Sequence, residues 1–290
     1  MKVGLVIGGG RWGRIIATKL GELGYHVYVA TDFPVAGNDI TRDHISLLNP
    51  PPDLIYIASR SVDHERDFNR IASLGITIWI EKNFSGMSDA LFERFSIGEN
   101  FIFAQQLFNT SLDRFAEHLQ DVSDFDIQTE VDRPIVTTIG LFDWLCHDLS
   151  LIARTLWLRG VSSLTMTSAV DHKDGAWTAE YVINGITFRI LLKESSRRFR
   201  RVRLRNGAFL ISGYDGFLWY QSPDGSTDGG NAYGTSDGDL LGTGLKVALE
   251  TPRRDLHALM RIVLQLHRST FPLVQQLMER DGTITSATRP

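Results

Sequence analysis

The sequence predicts an α/β domain followed by an α+β domain. In the first part, short apolar runs alternate with helix-like stretches, which is the pattern of a parallel sheet with crossover helices. In the second part, apolar runs are joined by turn signals such as Asn184-Gly185, which predicts a mostly antiparallel open sheet. Flanking helices complete this second domain. We place the boundary near residue 120, so the predicted domains are 1–120 and 121–290.

The strands of the first domain are predicted from apolar runs that suit parallel strands buried on both faces. These runs are residues 3–7, 27–30, 54–58, 76–80 and 101–104, and helix-like stretches at 12–23, 63–74 and 89–95 lie between them.

The second domain has strand candidates at residues 161–170, 177–182, 187–192, 202–204, 209–212 and 217–220. A glycine-rich acidic stretch at 222–244 predicts a long loop. Apolar residues at helical spacing then predict a last helix at about 253–278.

The composition is that of an ordinary globular protein. The formal net charge of −4 gives no reason to expect nucleic acid or an anionic membrane as the main partner. Cys146 is the only cysteine, so no internal disulfide forms, which fits the cytoplasm. The first apolar run is too short for a signal sequence or a membrane span. We expect a soluble, cytoplasmic protein.

A glycine-rich turn follows the first predicted strand. Residues 8–13 read Gly-Gly-Gly-Arg-Trp-Gly and lead into a helix. In such a turn Gly8 permits the tight bend, Gly10 lets the backbone approach a pyrophosphate, and Gly13 packs the helix on the strand. The pyrophosphate then lies at the helix N-terminus. We assign Arg11 and Trp12 to the same site and predict a Rossmann domain that binds a dinucleotide.

Asp32 ends the second predicted strand, where an acid can bind the ribose 2′-hydroxyl. Its charge would repel the 2′-phosphate of NADP, so Asp32 favours NAD slightly. Arg11, Arg14 and Arg60 could partly undo this preference. Alternatively, Asp32 is a turn residue before Phe33-Pro34.

Three stretches resemble the glucose–fructose oxidoreductase / inositol dehydrogenase (Gfo/Idh/MocA) family. The first is the glycine turn with the strand that ends at Asp32. The second, residues 53–64, is similar to the family's D-x-V-x-I-A-T-P-x-x-x-H, and Glu81-Lys82 then matches its E-K-P. The third, residues 143–148, is similar to D-x-x-x-H-D. Order and spacing agree over about the first 155 residues.

The resemblance implies a catalytic group of Lys82, Asp143 and His147, and no metal. His147 would donate or accept the proton, since histidine has an ordinary pKa near 6.5. Lys82 would polarise the reacting oxygen, and Asp143 would orient the substrate or the histidine. The further cofactor contacts are assigned to Ser59, Arg60, His64, Glu81 and Lys82.

Each of these residues has a structural alternative. Asp143 could cap a helix that begins at Trp144, and His147 could be a packed core histidine. Lys82 could be a solvated lysine at a strand end. Asp143 and His147 could also be two metal ligands, although no third ligand motif accompanies them. His64 could be a first-turn helix residue.

The run at 197–205 contains six arginines in an acidic protein. On a strand, Arg201, Arg203 and Arg205 would share one face. The simplest interpretation is a solvated or subunit-facing surface, and the alternative is a site for an anionic ligand group.

The predicted function is an NAD(P)-dependent oxidoreductase, a dehydrogenase or reductase acting on a polar carbonyl or alcohol such as a sugar, a cyclitol or a sugar derivative. An imine reductase would use the same hydride. Asn83 and Arg60 replace prolines of the family, which leaves open a non-catalytic regulator that binds NAD(P). We also expect a homo-oligomer, a dimer or tetramer, through the second sheet, whose apolar residues include Ile190, Leu192, Val202 and Leu204.

Overall fold

The computed structural model divides the chain into two compact units. The first unit comprises Met1–Phe108 and Leu241–Met260, and the second comprises Asn109–Leu240 and Arg261–Pro290. The structure describes residues 1–34, 37–82, 100–108, 122–132, 138–196, 199–204, 207–212, 217–221, 227–231 and 240–280, together with positions 91, 94, 113, 119, 120 and 135. The predicted roles of 1–120 in cofactor binding and of 121–290 in substrate binding and oligomerisation stay predictions.

The first unit contains a parallel sheet, as predicted, with six strands where the sequence predicts five. Its strands are β1 (Lys2–Ile7), β2 (Tyr25–Thr31), β3 (Asp39–Thr41), β4 (Leu54–Ile57), β5 (Ile78–Glu81) and β6 (Asn100–Phe103). The spatial order is β3-β2-β1-β4-β5-β6, which is the strand order of the dinucleotide-binding Rossmann fold. All four residues of β4 are buried, as expected for a central parallel strand.

Two helices follow strands β1 and β4. Helix α1 (Arg11–Glu22) begins directly after the glycine turn, and helix α2 (His64–Ile71) lies between the 3₁₀ turns Ser61–Asp63 and Ala72–Leu74. The third predicted helix, 89–95, lies mostly outside the described residues, although Leu91 and Arg94 are helical.

The second unit contains an eight-stranded, mostly antiparallel sheet. Its strands are β7 (Asp124–Val131), β8 (Met166–Lys173), β9 (Ala176–Ile183), β10 (Ile186–Glu194), β11 (Phe199–Leu204), β12 (Gly207–Ser212), β13 (Phe217–Gln221) and β14 (Thr227–Asn231). The order is β14-β13-β12-β11-β7-β10-β9-β8, and only β7 and β10 pair in parallel. The prediction of this fold class is confirmed.

One face of this sheet is covered by helices. Helix α3 (Thr138–Leu158) packs against β10, whose Phe188 and Ile190 are buried. Helix α4 (Leu240–Glu250), from Leu241 onwards, and the start of α5 (Arg253–Arg280) belong to the first unit. The rest of α5 belongs to the second unit, where the hydroxyl of Thr270 is 2.8 Å from the hydroxyl of Tyr181 in β9. None of the described helices has the length and apolar content that a bilayer crossing requires.

The prediction of a long loop at 222–244 is wrong in part. Residues 227–231 form β14, and α4 begins at Leu240. Strands β3 and β7 were not predicted either. The predicted strand at 161–170 begins only at Met166.

Candidate cofactor site and catalytic residues

The glycine turn has the shape that the sequence predicts. Gly8 has a φ of +119°, a conformation that residues with a side chain rarely adopt. A Cβ added at Gly13 would lie 1.8 Å from the carbonyl oxygen of Gly8, so α1 packs against the turn in a way that excludes a side chain. These two glycines therefore place the start of α1 against the end of β1.

Gly10 differs from its two neighbours in the motif. A Cβ added there would meet nothing within 4 Å, and Gly10 itself lines a cleft. The first turn of α1, which the structure describes throughout, carries no acidic side chain, and its N-cap makes no side-chain hydrogen bond. The amide groups of this turn are available to an anion.

The cleft has a volume of about 540 Å³, within the range of small-molecule sites. It lies at the carboxyl ends of β1, β2 and β4. Of the predicted cofactor residues, those that line it are Gly8, Gly10, Arg11, Trp12, Asp32, Ser59 and Arg60. Gly13, His64, Glu81 and Lys82 do not line it.

Glu81 ties the glycine turn to the end of β5. Its carboxylate accepts hydrogen bonds from Nε1 of Trp12 at 2.6 Å and from the hydroxyl of Tyr56 at 2.8 Å. Tyr56 is fully buried, and burial raises its pKa well above the usual value, so the phenol keeps its proton. Glu81 thus holds Trp12 at the rim of the cleft.

His64 is buried at the start of α2, where its Nε2 donates a hydrogen bond to the carbonyl of Ser59 at 2.9 Å. Burial lowers the pKa of His64 to about 4, so the ring is neutral near pH 7. His64 therefore fixes the loop that carries Ser59 and Arg60. This favours the alternative in which His64 is a first-turn helix residue.

The His64 environment predicts a loss of stability on acidification. The native state keeps His64 neutral down to a pKa of about 4, whereas the unfolded state binds the proton near 6.5. The free energy of unfolding should fall by about 2 kcal/mol from this residue between about pH 7 and pH 5. Urea unfolding of the wild type and of His64→Gln over this range measures the difference in slope. An equal slope in both proteins would contradict the prediction.

Lys82 directly follows β5, at the carboxyl end of a parallel strand. Its backbone N–H donates to the carbonyl of Phe103 at 3.0 Å, which extends the pairing of β5 with β6 by one residue. The residue is half-buried. Carboxyl ends of parallel strands are where ligands bind in such sheets. Asn83 lies outside the described residues.

Asp143 and His147 lie on one face of α3. The helix begins at Thr138, so Asp143 is an interior helix residue and the alternative of an N-cap is wrong. Of residues 141–150, all of which the structure describes, only Asp143 and His147 are not buried. Their spacing of four residues brings them together on an otherwise apolar helix.

Asp148 follows His147 and points into the core. It is fully buried, and one carboxylate oxygen is bound by Arg200 and accepts a hydrogen bond from Thr129 at 2.9 Å. Burial raises the pKa of Asp148, and Arg200 opposes this. Arg200 thus comes from the basic run but faces inward, while Arg203 is exposed. Arg197, Arg198 and Arg205 lie outside the described side chains.

Sequence reasoning missed several residues of the cleft: Gly9, Thr31, Phe33, Arg42, Ala58, Asp63 and Arg66. Phe33 and Ala58 adjoin predicted strand ends, so their position was the available signal. Arg42 reaches the cleft from a 3₁₀ helix after β3, and nothing in the sequence pattern indicates it. Within the described ranges, no group of three or more histidine, cysteine or carboxylate side chains is placed to hold a metal ion.

No family model and no curated protein matches this sequence. Solved structures match it in fold at low identity. A Gfo/Idh/MocA family oxidoreductase from Vibrio cholerae has a TM-score of 0.69 and 14% identity, over 97% of this chain and 100% of the other. A myo-inositol dehydrogenase from Corynebacterium glutamicum has a TM-score of 0.67 and 13% identity, over 95% and 97%. An oxidoreductase from Agrobacterium radiobacter in complex with NAD+, L-tartaric acid and magnesium has a TM-score of 0.65 and 11% identity, over 92% and 96%. The chain therefore has the fold that its sequence resemblance implies.

Proposed function

We propose that this chain is a cytoplasmic NAD(P)-dependent oxidoreductase of the Gfo/Idh/MocA family that acts on a polar carbonyl or alcohol. The observation that carries the proposal is the glycine turn, in which Gly8 and Gly13 exclude side chains while Gly10 opens into the cleft. Gly10 is the one of these three glycines that both lacks a neighbour within 4 Å and lines the cleft. The space, the helix N-terminus and the acid at Asp32 suit the pyrophosphate and ribose of a dinucleotide.

The fold supports the same proposal. The chain shares its fold with a myo-inositol dehydrogenase and with an oxidoreductase bound to NAD+, over more than nine-tenths of each chain. Sugars, cyclitols and their derivatives are the substrate class that we assign by this likeness. Their hydroxyl and carbonyl groups suit a site that pairs hydride transfer with proton transfer.

We assign the proton to His147. A bound nicotinamide supplies or accepts the hydride, and the chain must then move one proton to or from the substrate oxygen. His147 has the chemistry for both directions and is half-exposed on a buried helix. Asp143, one turn earlier, orients the ring or the substrate. The ammonium group of Lys82 polarises the reacting oxygen.

A turnover screen tests the proposal. The wild-type protein is incubated with either oxidised or reduced NAD and NADP and a panel of sugars, cyclitols and their oxo derivatives, and the absorbance of the reduced nicotinamide is followed. At least one member of the panel should be oxidised or reduced. Imines are included, because the same hydride and proton would reduce C=N. Cofactor binding without turnover of any member would favour the non-catalytic regulator.

We also propose that the chain assembles through its second sheet. Ile190, Leu192, Val202 and Leu204 are covered within the chain itself, so they do not form the contact. On the opposite face, Arg189 and Leu191 line a shallow depression of about 490 Å³. Val182 is exposed on the same face but does not line this depression. An open sheet face of this kind is a candidate for burial against a second subunit.

Sedimentation velocity at micromolar concentration should therefore show a dimer or tetramer. Leu191→Glu should shift the distribution towards the monomer, because it places a charge on the open face, in the lining of the depression. A wild-type protein that sediments as a monomer would contradict the proposed assembly.

A further inference from the structure

Three charged residues are linked by two ion pairs that run from the interior of the first unit to the cleft. Asp67 of α2 has a side chain only 1% exposed and forms an ion pair with Nη1 of Arg42. Arg42 is 10% exposed, and its Nε lies 3.1 Å from a carboxylate oxygen of Asp32, which is 62% exposed. The exposures therefore rise in the order Asp67, Arg42, Asp32.

This order bears on what Arg42 does. Arg42 and Asp32 line the cleft, whereas Asp67 does not. The guanidinium of Arg42 is divided between two carboxylates, and the buried one is the partner that water screens least. Arg42 therefore acts from behind Asp32 and holds its carboxylate towards the cleft.

Two of the other three arginines that line the cleft are also engaged, and the third, Arg11, is exposed. Arg60 and Arg66 pair with Asp63 at 2.9 and 3.1 Å, and Arg66 reaches Asp67 at 3.4 Å. A phosphate entering beside Asp32 would compete with carboxylates for Arg42, Arg60 and Arg66. A ribose hydroxyl would instead donate a hydrogen bond to Asp32 and leave every ion pair in place.

We infer that the Asp67–Arg42 pair positions Asp32 for a ribose 2′-hydroxyl and thereby makes the cleft selective for NAD(H) over NADP(H). This inference rests on the proposed function, since it requires that the cleft bind a nicotinamide dinucleotide. Arg42 and Asp67 are positioning residues, and Asp32 is the group that contacts the ligand.

The opposite assignment makes Arg42 the ligand of a 2′-phosphate, as arginines near this position serve in NADP-binding proteins. That assignment sets the phosphate in competition with Asp67 for the guanidinium, and Asp67 is a buried carboxylate whose closest cation is Arg42. The two assignments predict different binding behaviour.

The test is the ratio of the dissociation constants of NADH and NADPH, measured by fluorescence titration. Wild-type protein should bind NADH at least about tenfold more tightly than NADPH. Arg42→Met should weaken NADH binding about five- to tenfold, because Asp32 loses its support. The same substitution should not strengthen the binding of NADPH. Loss of protein stability alone would weaken both cofactors equally, so the ratio isolates the effect on Asp32.

Asp67→Asn provides a second variant outside the cleft. Without the charge of Asp67, the guanidinium of Arg42 neutralises Asp32 more fully, so the preference for NADH should shrink about threefold or more. Arg70→Met is the control, since it removes an arginine of the same helix as Asp67 that does not line the cleft. This variant should leave the affinities for NADH and NADPH unchanged.

Three results would overturn the inference while leaving the proposed function intact. The first is a wild type that binds NADPH as tightly as NADH, and the second is an Arg42→Met variant that loses NADPH affinity alone. The third is an unchanged ratio in Asp67→Asn. If folded wild-type protein binds neither nucleotide, the proposed function fails and the inference fails with it.

Discussion

Gly10→Val is expected to lower the affinity for NADH by at least about 100-fold while the protein remains folded. The backbone at Gly10 has φ −70° and ψ 177°, an extended conformation that valine adopts readily. A Cβ added at Gly10 meets no protein atom within 4 Å, and Gly10 lines the cleft, so the valine would occupy space that the pyrophosphate needs. The loss is measured by titrating NADH into the wild type and the variant.

Gly21→Val is the control for this substitution. Gly21 lies near the end of α1, and a side chain added there also meets nothing within 4 Å. This variant should bind NADH with wild-type affinity. If Gly10→Val bound NADH as tightly as Gly21→Val does, the glycine turn would not be the cofactor site.

His147→Ala is expected to lower kcat by roughly 10²–10⁴-fold on the substrate that the screen identifies. The substitution removes the group that we assign to proton transfer, and it should leave the affinity for NADH almost unchanged. His147→Asn should remain similarly slow, because it keeps polarity without a comparable proton donor and acceptor.

Lys82→Ala should reduce both turnover and substrate affinity, since a charged group beside the reacting oxygen acts in the ground state and in the transition state.

His172→Ala is the control for His147→Ala. His172 of β8 stacks on Trp177 of β9, with ring centroids 4.3 Å apart, and has no assigned role in catalysis. Near-wild-type turnover of His147→Ala would refute the assignment of the proton to His147.

The parts of the fold that the sequence predicts well are those whose side chains are buried on both faces. Strand β4 is an uninterrupted apolar run and is predicted to within one residue. Strand β3, Asp39–Thr41, has no such run, and it is held by pairing with β2 and by the ion pair of Asp39 with Arg14. Long-range pairing of this kind leaves no periodic pattern in a single sequence.

Two strands of the second sheet, β14 and β7, were not predicted, for different reasons. The segment of β14 reads Thr-Asp-Gly-Gly-Asn, a composition typical of turns, and it is a strand because β13 pairs with it. Strand β7 does alternate, with Phe125 and Ile127 buried between polar residues, so its signal was present in the sequence and was overlooked.

The candidate site divides in the same way. Gly8, Gly10, Gly13 and Asp32 could be predicted because each follows a strand at a spacing that the chemistry requires. Arg42 and Asp67 could not be predicted, because Arg42 meets Asp32 and Asp67 only after three separate segments have folded. His64 belongs to a motif, but its burial shows that a motif residue can support the site from behind.

Hydride transfer is the central claim, and one labelling measurement tests it most directly. NADH carrying deuterium at C4, in both stereochemical forms, is incubated with the protein and a small-molecule extract of cells, and the products are analysed by mass spectrometry. We expect one polar metabolite, or a small group of related ones, to gain a single deuterium with wild-type protein and to remain unlabelled with Gly10→Val. No labelled metabolite with either form of the cofactor, from a protein that binds NADH, would contradict the account.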